Sequence, residues 1–184
     1  MTGMSFDLCL FVFFVTTLLL LGGINMFEFL KSNLELLAPV SGKVIELSSV
    51  PDEVFATKLA GDGVAIEPTG DVFVAPGSGE LVLIFKTNHA FCIRLENGIE
   101  VLVHIGIDTV NLKGEFFERL AVEGTKVKVG DPIIKVNRDK ILEKGYSLVT
   151  PVLITNMEAI KEINYLSGKD VLASKDAIIS YKTK

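Results

Sequence analysis

The sequence predicts a mostly β protein, an antiparallel β-sandwich with a few short helices. Three observations carry that expectation. From Leu36 onward, short apolar runs rich in valine, isoleucine and phenylalanine are punctuated by Gly, Pro, Asp and Asn. Ala38-Pro39-Val40-Ser41-Gly42-Lys43 returns as Ala75-Pro76-Gly77-Ser78-Gly79-Glu80, and each copy leads into an apolar run. A turn repeated before a strand implies a duplicated turn-and-strand unit, because a solenoid needs at least about three copies. Between two later apolar runs stands Asn97-Gly98, the strongest short signal for a two-residue β-hairpin.

Length and charge bound the function. A chain of 184 residues holds one domain with a full core. The net charge is −5 and the basic residues are scattered, which argues against a nucleic-acid partner. Two cysteines, Cys9 and Cys92, make no disulfide framework, and this usage fits a reducing compartment.

The first 25 residues differ from the rest. Leu8 to Ile24 is an uncharged run of 17 residues, at the lower limit for a membrane span. It has no basic flank and no clear small-residue cleavage site, so it does not read as a secretory signal. Two readings stay open. The run is an anchor, with Lys31 beyond it favouring a cytoplasmic body; or translation starts at Met26, and the upstream stretch is a mis-assigned start. Met26-Phe27-Glu28-Phe29-Leu30-Lys31 reads well as a natural N-terminus, which favours the second.

The body follows in order. Gly61-Asp62-Gly63 precedes a strand at Val64-Ala65-Ile66, and Pro68-Thr69-Gly70-Asp71 precedes another at Val72-Phe73-Val74. Val122 to Asp131 alternates valines with polar residues between two glycine turns. That spacing resembles the strand–turn–strand of barrel-sandwich hybrid folds, the class that includes lipoyl and biotinyl carriers. Their carrier lysine belongs at a tight hairpin tip beside a methionine, and no such tip is present. Lys126 and Lys128 are expected as solvated strand residues. Arg138–Lys144 and Met157–Tyr165 are short amphipathic helix candidates, with Asn156 as N-cap of the second. One helical turn is expected within Gly114–Glu123.

The hairpin carries the chemistry. It contains both histidines of the chain, His89 and His104. A type I′ turn at Asn97-Gly98 sets Glu96 against Ile99, Phe91 against His104 and His89 against Gly106. With period-two alternation, His89, Phe91, Leu102 and His104 then share one face and Cys92 lies on the other. The two imidazoles become diagonal neighbours able to serve one site. A one-residue slip would separate them.

Several ordered motifs resemble one family. Gly61-Asp62-Gly63-Val64-Ala65-Ile66-Glu67-Pro68-Thr69-Gly70, Thr87-Asn88-His89-Ala90-Phe91 and Val103-His104-Ile105-Gly106-Ile107-Asp108-Thr109-Val110 are similar to segments of the glucose-type enzyme IIA of the bacterial sugar phosphotransferase system. Ile105 replaces a phenylalanine of that pattern. Val127-Lys128-Val129-Gly130-Asp131 and Thr150-Pro151-Val152 also fit. The resemblance covers roughly Leu36 to Lys184. It implies a duplicated hybrid β-sandwich, with residues 1–33 as an N-terminal leader and residues 34–184 as a phosphotransferase enzyme IIA domain.

By the same resemblance, His104 accepts a phosphoryl group on Nε2 from the phosphocarrier HPr. It passes that group to a cysteine of a IIB domain serving a IIC sugar permease. His89 donates a hydrogen bond to the phosphoryl group, and Thr87 orients His89. Phosphotransfer requires no cofactor. The family docks partners on an apolar rim matched here by Phe55, Leu59, Phe85, Leu102, Ile105 and Val110, with Asp52 and Asp108 at its edge. His89 and His104 could also ligate a Zn²⁺ ion shared with a partner. Leu102 stands where the family often has phenylalanine and Asn111 where it often has an acid, departures that bear on regulatory targets. The implied location is cytoplasmic, with membrane association through the N-terminus if the leader is an anchor.

Two other function classes compete. One is a regulatory binding module whose His104 signals its phosphorylation state without sugar transport. The other is a zinc metallopeptidase of a related β-sandwich type, which needs three protein ligands and an open position for water. Two histidines and no His-x-His pair argue against it.

Overall fold

The computed structural model describes residues 34–184. The leader, with its anchor and alternative-start readings, lies outside the described residues. Among these residues, fourteen strands run in chain order from β1 (Leu34–Leu37) to β14 (Ala177–Thr183), all paired antiparallel. Among the described residues, no helix is long and apolar enough to cross a membrane.

An eight-stranded sheet has the order β13-β2-β3-β11-β7-β6-β5-β9. Its members are β2 (Gly42–Glu46), β3 (Asp62–Pro68), β5 (Gly79–Ile84), β6 (Ala90–Leu95), β7 (Glu100–His104), β9 (Lys126–Val127), β11 (Thr150–Ile154) and β13 (Asp170–Val171). Two three-stranded sheets complete the body: β1-β14-β12, with β12 at Ile160–Tyr165, and β4-β10-β8. In the latter, β4 is Val72–Val74, β8 is Phe117–Arg119 and β10 is Pro132–Val136. One apolar core joins the three sheets. Val44, Ile66, Phe91 and Val103 meet Leu36, Ile179 and Tyr181 from one small sheet, and Phe73 and Ile134 from the other.

The repeat seen in the sequence is built into the fold. Leu37 N–H donates to the Pro76 carbonyl at 3.0 Å, and reciprocally Val74 N–H donates to Pro39 at 2.8 Å. Ser41 Oγ accepts from Ala173 N–H at 3.0 Å, as Ser78 Oγ accepts from Val129 N–H at 3.1 Å. Gly42 and Gly79 open their strands under a crossing backbone. A Cβ at either would lie 2.1 Å from a carbonyl oxygen, of Glu67 or of Arg94, so no larger residue fits. Each copy is edged by a two-residue strand, β13 on β2 and β9 on β5. Lys126 and Lys128 are exposed, as expected.

The alternate face of the large sheet bears a second, smaller cluster. Ala65 and Leu153 are covered there by Leu47, Val50 and Phe55. This cover includes a helical turn, α1 (Glu53–Ala56), that the sequence pattern did not announce. Asp52 caps it, accepting from the Val54 and Phe55 N–H groups at 2.8 and 3.3 Å.

Three local expectations need correction. Met157–Tyr165 is not a helix: a 3₁₀ turn at Met157–Ala159 leads directly into β12. That strand is the edge of its sheet, where charged residues such as Lys161 and Glu162 guard the open side and imitate an amphipathic pattern. Asn156 does not cap a helix with its side chain. Its amide binds the hairpin tip, accepting from Glu100 N–H at 2.9 Å and donating to the Gly98 carbonyl at 3.0 Å. Gly114–Glu123 holds β8 where one helical turn was expected. The other helix candidate forms as α2 (Arg138–Glu143), capped by Asn137, which accepts from Lys140 N–H.

Candidate functional site

The hairpin β6–β7 exists, in a register one residue from the one expected. Ala90 pairs with His104, Phe91 with Val103 and Cys92 with Leu102. The connection is a three-residue loop, Glu96 to Gly98, in which Leu95 N–H donates to the Ile99 carbonyl at 2.8 Å. Gly98 takes a positive φ of 83°, whereas Asn97 does not enter the left-handed region. The Asn97 side chain is held by distant structure, donating to the Tyr181 hydroxyl at 2.9 Å. The longer loop moves Phe91 into the core and sets Cys92 on the same sheet face as Leu102 and His104.

The histidines still converge, by a different route. His89 precedes β6, where the backbone leaves strand geometry at Asn88, φ +56°. The two imidazole centroids lie 5.0 Å apart and nearly perpendicular, at 79°. His104 ends β7, and the chain then bends at Gly106, φ +77°. The bend turns the Gly106 carbonyl back onto His104 Nδ1, at 2.8 Å.

That contact fixes the tautomer. A carbonyl can only accept, so Nδ1 carries the hydrogen and a neutral ring leaves Nε2 with a free lone pair. His89 is tied by the same ring position: its Nδ1 lies 2.6 Å from Thr87 Oγ1. When the Thr87 hydroxyl donates, His89 Nε2 becomes the protonated nitrogen. Phe55 packs on the His104 ring, centroids 5.0 Å apart, and Phe85 meets the His89 ring at 5.3 Å.

Both rings are held neutral. Burial, followed by the repulsion of His104, pushes His89 down to about 4. Burial also lowers His104, while the Gly106 carbonyl, Asp52 and Asp108 pull it partly back. The site therefore offers one basic nitrogen and one N–H donor in a half-dry setting.

The expected rim divides on inspection. Leu59 is 77% exposed, and Phe85, Val110 and Asp108 are also open to solvent. Leu102 and Asp52 are half-buried. Ile105 is fully buried and belongs to the core, so its place in a contact rim is withdrawn. Phe55 is nearly buried and supports His104 rather than facing solvent. Exposed Val54 joins Leu59 on the segment around α1, an addition invisible until α1 is recognised.

The three protein ligands that a zinc peptidase needs are not gathered among the described residues. Among the described residues, no group of three or more His, Cys, Asp or Glu could hold a metal, and both Nδ1 atoms are already engaged.

The duplicated sandwich and this paired-imidazole site define a histidine phosphocarrier domain. The chain belongs to the family described as phosphoenolpyruvate-dependent sugar phosphotransferase system, EIIA 1, whose model matches residues 34–160. It is 46% identical over 138 residues to the PTS system glucose-specific EIIA component of Borreliella burgdorferi, covering 75% of this chain and 73% of that protein. It is 44% identical over 148 residues to the corresponding component of Haemophilus influenzae, covering 80% and 89%. A further relative is the PTS system N-acetylglucosamine-specific EIICBA component of Escherichia coli, 47% identical over 148 residues. There the match covers 80% of this chain and spans 23% of the longer protein. The solved glucose permease IIA of Mycoplasma capricolum superposes with a TM-score of 0.70 at 37% identity, covering 81% of this chain and 96% of that one. The chain is thus a phosphoryl carrier of the sugar phosphotransferase system.

Proposed function

We propose that His104 Nε2 receives the phosphoryl group from phosphorylated HPr and passes it to the cysteine of a IIB domain. The observation that carries this reading is the Nδ1–H bond from His104 to the Gly106 carbonyl, which leaves Nε2 bare. In the first step the donor's N–P bond breaks as P–Nε2 forms, and the donor histidine leaves as a neutral imidazole. In the second, P–Nε2 breaks as a P–S bond forms with the IIB thiolate, and neutral His104 is restored. Its proton stays on Nδ1, donated to the Gly106 carbonyl throughout, so no proton has to move at His104. Phosphoryl transfer passes through a loose transition state, so the protein positions groups and stabilises charge on the equatorial oxygens. His89 Nε2–H supplies one such donor, and the Thr87 hydroxyl keeps it in that tautomer. None of these steps calls for a cofactor.

Exposed Leu59, Phe85 and Val110 supply an apolar docking surface, with Asp52 and Asp108 to meet basic partner residues. Relatives in which EIIA is part of an EIICBA chain support IIB and IIC permease domains as the onward partners. This reading assigns the domain to the cytoplasm.

Zinc enters only as a shared ion. His104 Nε2 is one ligand, and His89 Nε2 becomes a second only when His89 carries its hydrogen on Nδ1 and donates it to Thr87 Oγ1; a closed site wants about four. A partner or water would complete it, and a phosphoryl group on Nε2 would take one ligand away.

The test is incubation of the full chain with enzyme I, HPr and phosphoenolpyruvate. Acid-labile phosphate on His104 is expected, and its absence overturns the reading. Sugar-dependent loss of that phosphate separates transport from a purely regulatory role.

A further inference from the structure

We propose that Arg119 is a positioning residue for His89 and Thr87, acting by clamping the turn that carries them; this rests on the phosphotransfer reading above. Arg119 ends β8, in a different sheet from β6 and β7, and its hydrogen bonds go to neither ring. Its guanidinium reaches back 31 positions, where Nε donates to Asn88 Oδ1 at 3.1 Å. Nη2 lies 3.4 Å from the carbonyl oxygens of both Ile84 and Phe85.

Those three acceptors bracket one short connection. Ile84 ends β5 and Ala90 begins β6, so the chain reverses direction between them. Inside the reversal Asn88 N–H donates to the Phe85 carbonyl at 2.8 Å, and Phe85 N–H donates to Ala90 at 3.0 Å. Thr87 and His89 flank the left-handed Asn88, and the Phe85 ring stands against the His89 ring. One planar fork therefore ties the entry and the exit of the segment that sets the His89 imidazole. Lysine could not reproduce it, because an ammonium is a point charge without the fixed geometry of the fork.

Arg119 is exposed, so its bonds add little to global stability. Their effect falls on the placement of His89, where small displacements are magnified in rate. Arg119→Ala removes the clamp from one side. Asn88→Gly removes it from the other while keeping the left-handed backbone accessible.

The experiment measures delivery of phosphate to IIB by the full chain, and the imidazole nitrogen shifts of His89 by NMR. Both variants are expected to slow delivery at least about tenfold, and to replace the single His89 tautomer with an averaged signal. Added to His89→Gln, either change should slow delivery less than about twofold further, because the path through His89 is already gone. Arg119→Lys should behave like Arg119→Ala. Parent-like rates with unchanged His89 shifts would overturn the proposal, as would equal slowing in the His89→Gln background. If the parent takes no phosphate from HPr, the phosphotransfer reading fails, while the His89 shifts still decide the clamp.

Discussion

The Nδ1–H group of His104 points at the carbonyl of Gly106, two residues further along the same chain and 2.8 Å away. One backbone bend thus fixes both the imidazole proposed as phosphoryl acceptor and the group that sets its tautomer. His104→Gln should abolish labelling by phosphorylated HPr, with melting behaviour close to the parent. Stoichiometric acid-labile phosphate on that variant would show that another residue accepts it.

The bend itself can be attacked. A Cβ at Gly106 would lie 2.5 Å from the Ser147 carbonyl oxygen and from Thr109 Cγ2, on a backbone at φ +77°. Gly106→Ala should cost at least about 2 kcal/mol in urea unfolding, from left-handed strain plus overlap. It should also lower the labelling rate by displacing the carbonyl. Parent-like stability would mean that the bend relaxes freely.

On the proposed mechanism, His89 acts on the phosphoryl oxygens rather than on the nucleophile. His89→Gln should still accept phosphate, yet deliver it to IIB slower by about 10²–10³, the usual loss for one transition-state donor. Single-turnover transfer measures this, and equal rates would remove His89 from the mechanism.

Acid should loosen the fold through the same ring. The unfolded chain protonates histidine near 6.5, but folded His89 only at about 4. Between these values the unfolded state binds more protons, so stability falls as pH is lowered from 6.5 toward 4. Above 6.5 the contribution is fully present. Lowered His104 acts in the same direction. Urea titrations across this range should show a shallower pH slope for His89→Gln, and an unchanged slope would contradict the assignment.

Zinc offers a separate readout. Calorimetry on the unphosphorylated chain should give weak binding that disappears in His89→Ala. Tight binding that survives this substitution would locate the metal elsewhere.

The strand–turn pattern and the APxSG repeat were legible because they follow from local chemistry, glycine under a crossing strand and alternation on a half-buried sheet. Asn97-Gly98 correctly announced a hairpin, but its loop length depends on the Asn97–Tyr181 bond across 84 positions, which no local rule contains. Met157–Tyr165 reads as helix because edge-strand charges and helix-face charges look alike in sequence. The convergence of His89 and His104 was anticipated for the wrong geometric reason: the sheet register separates them, and the left-handed Asn88 restores the approach. Arg119 gave no signal at all, since its meaning lies in three acceptors brought to it by the fold.

The order of strands has a bearing on how the domain is made in the cell. Residues 170–183 are synthesised after every strand they pair with, yet β13 edges β2, and β14 is the middle strand between β1 and β12. The hairpin that carries His104 is translated before these strands. Leu36 and Val44 share their core with Val171, Ile179 and Tyr181, so their cover is complete only when these strands have joined.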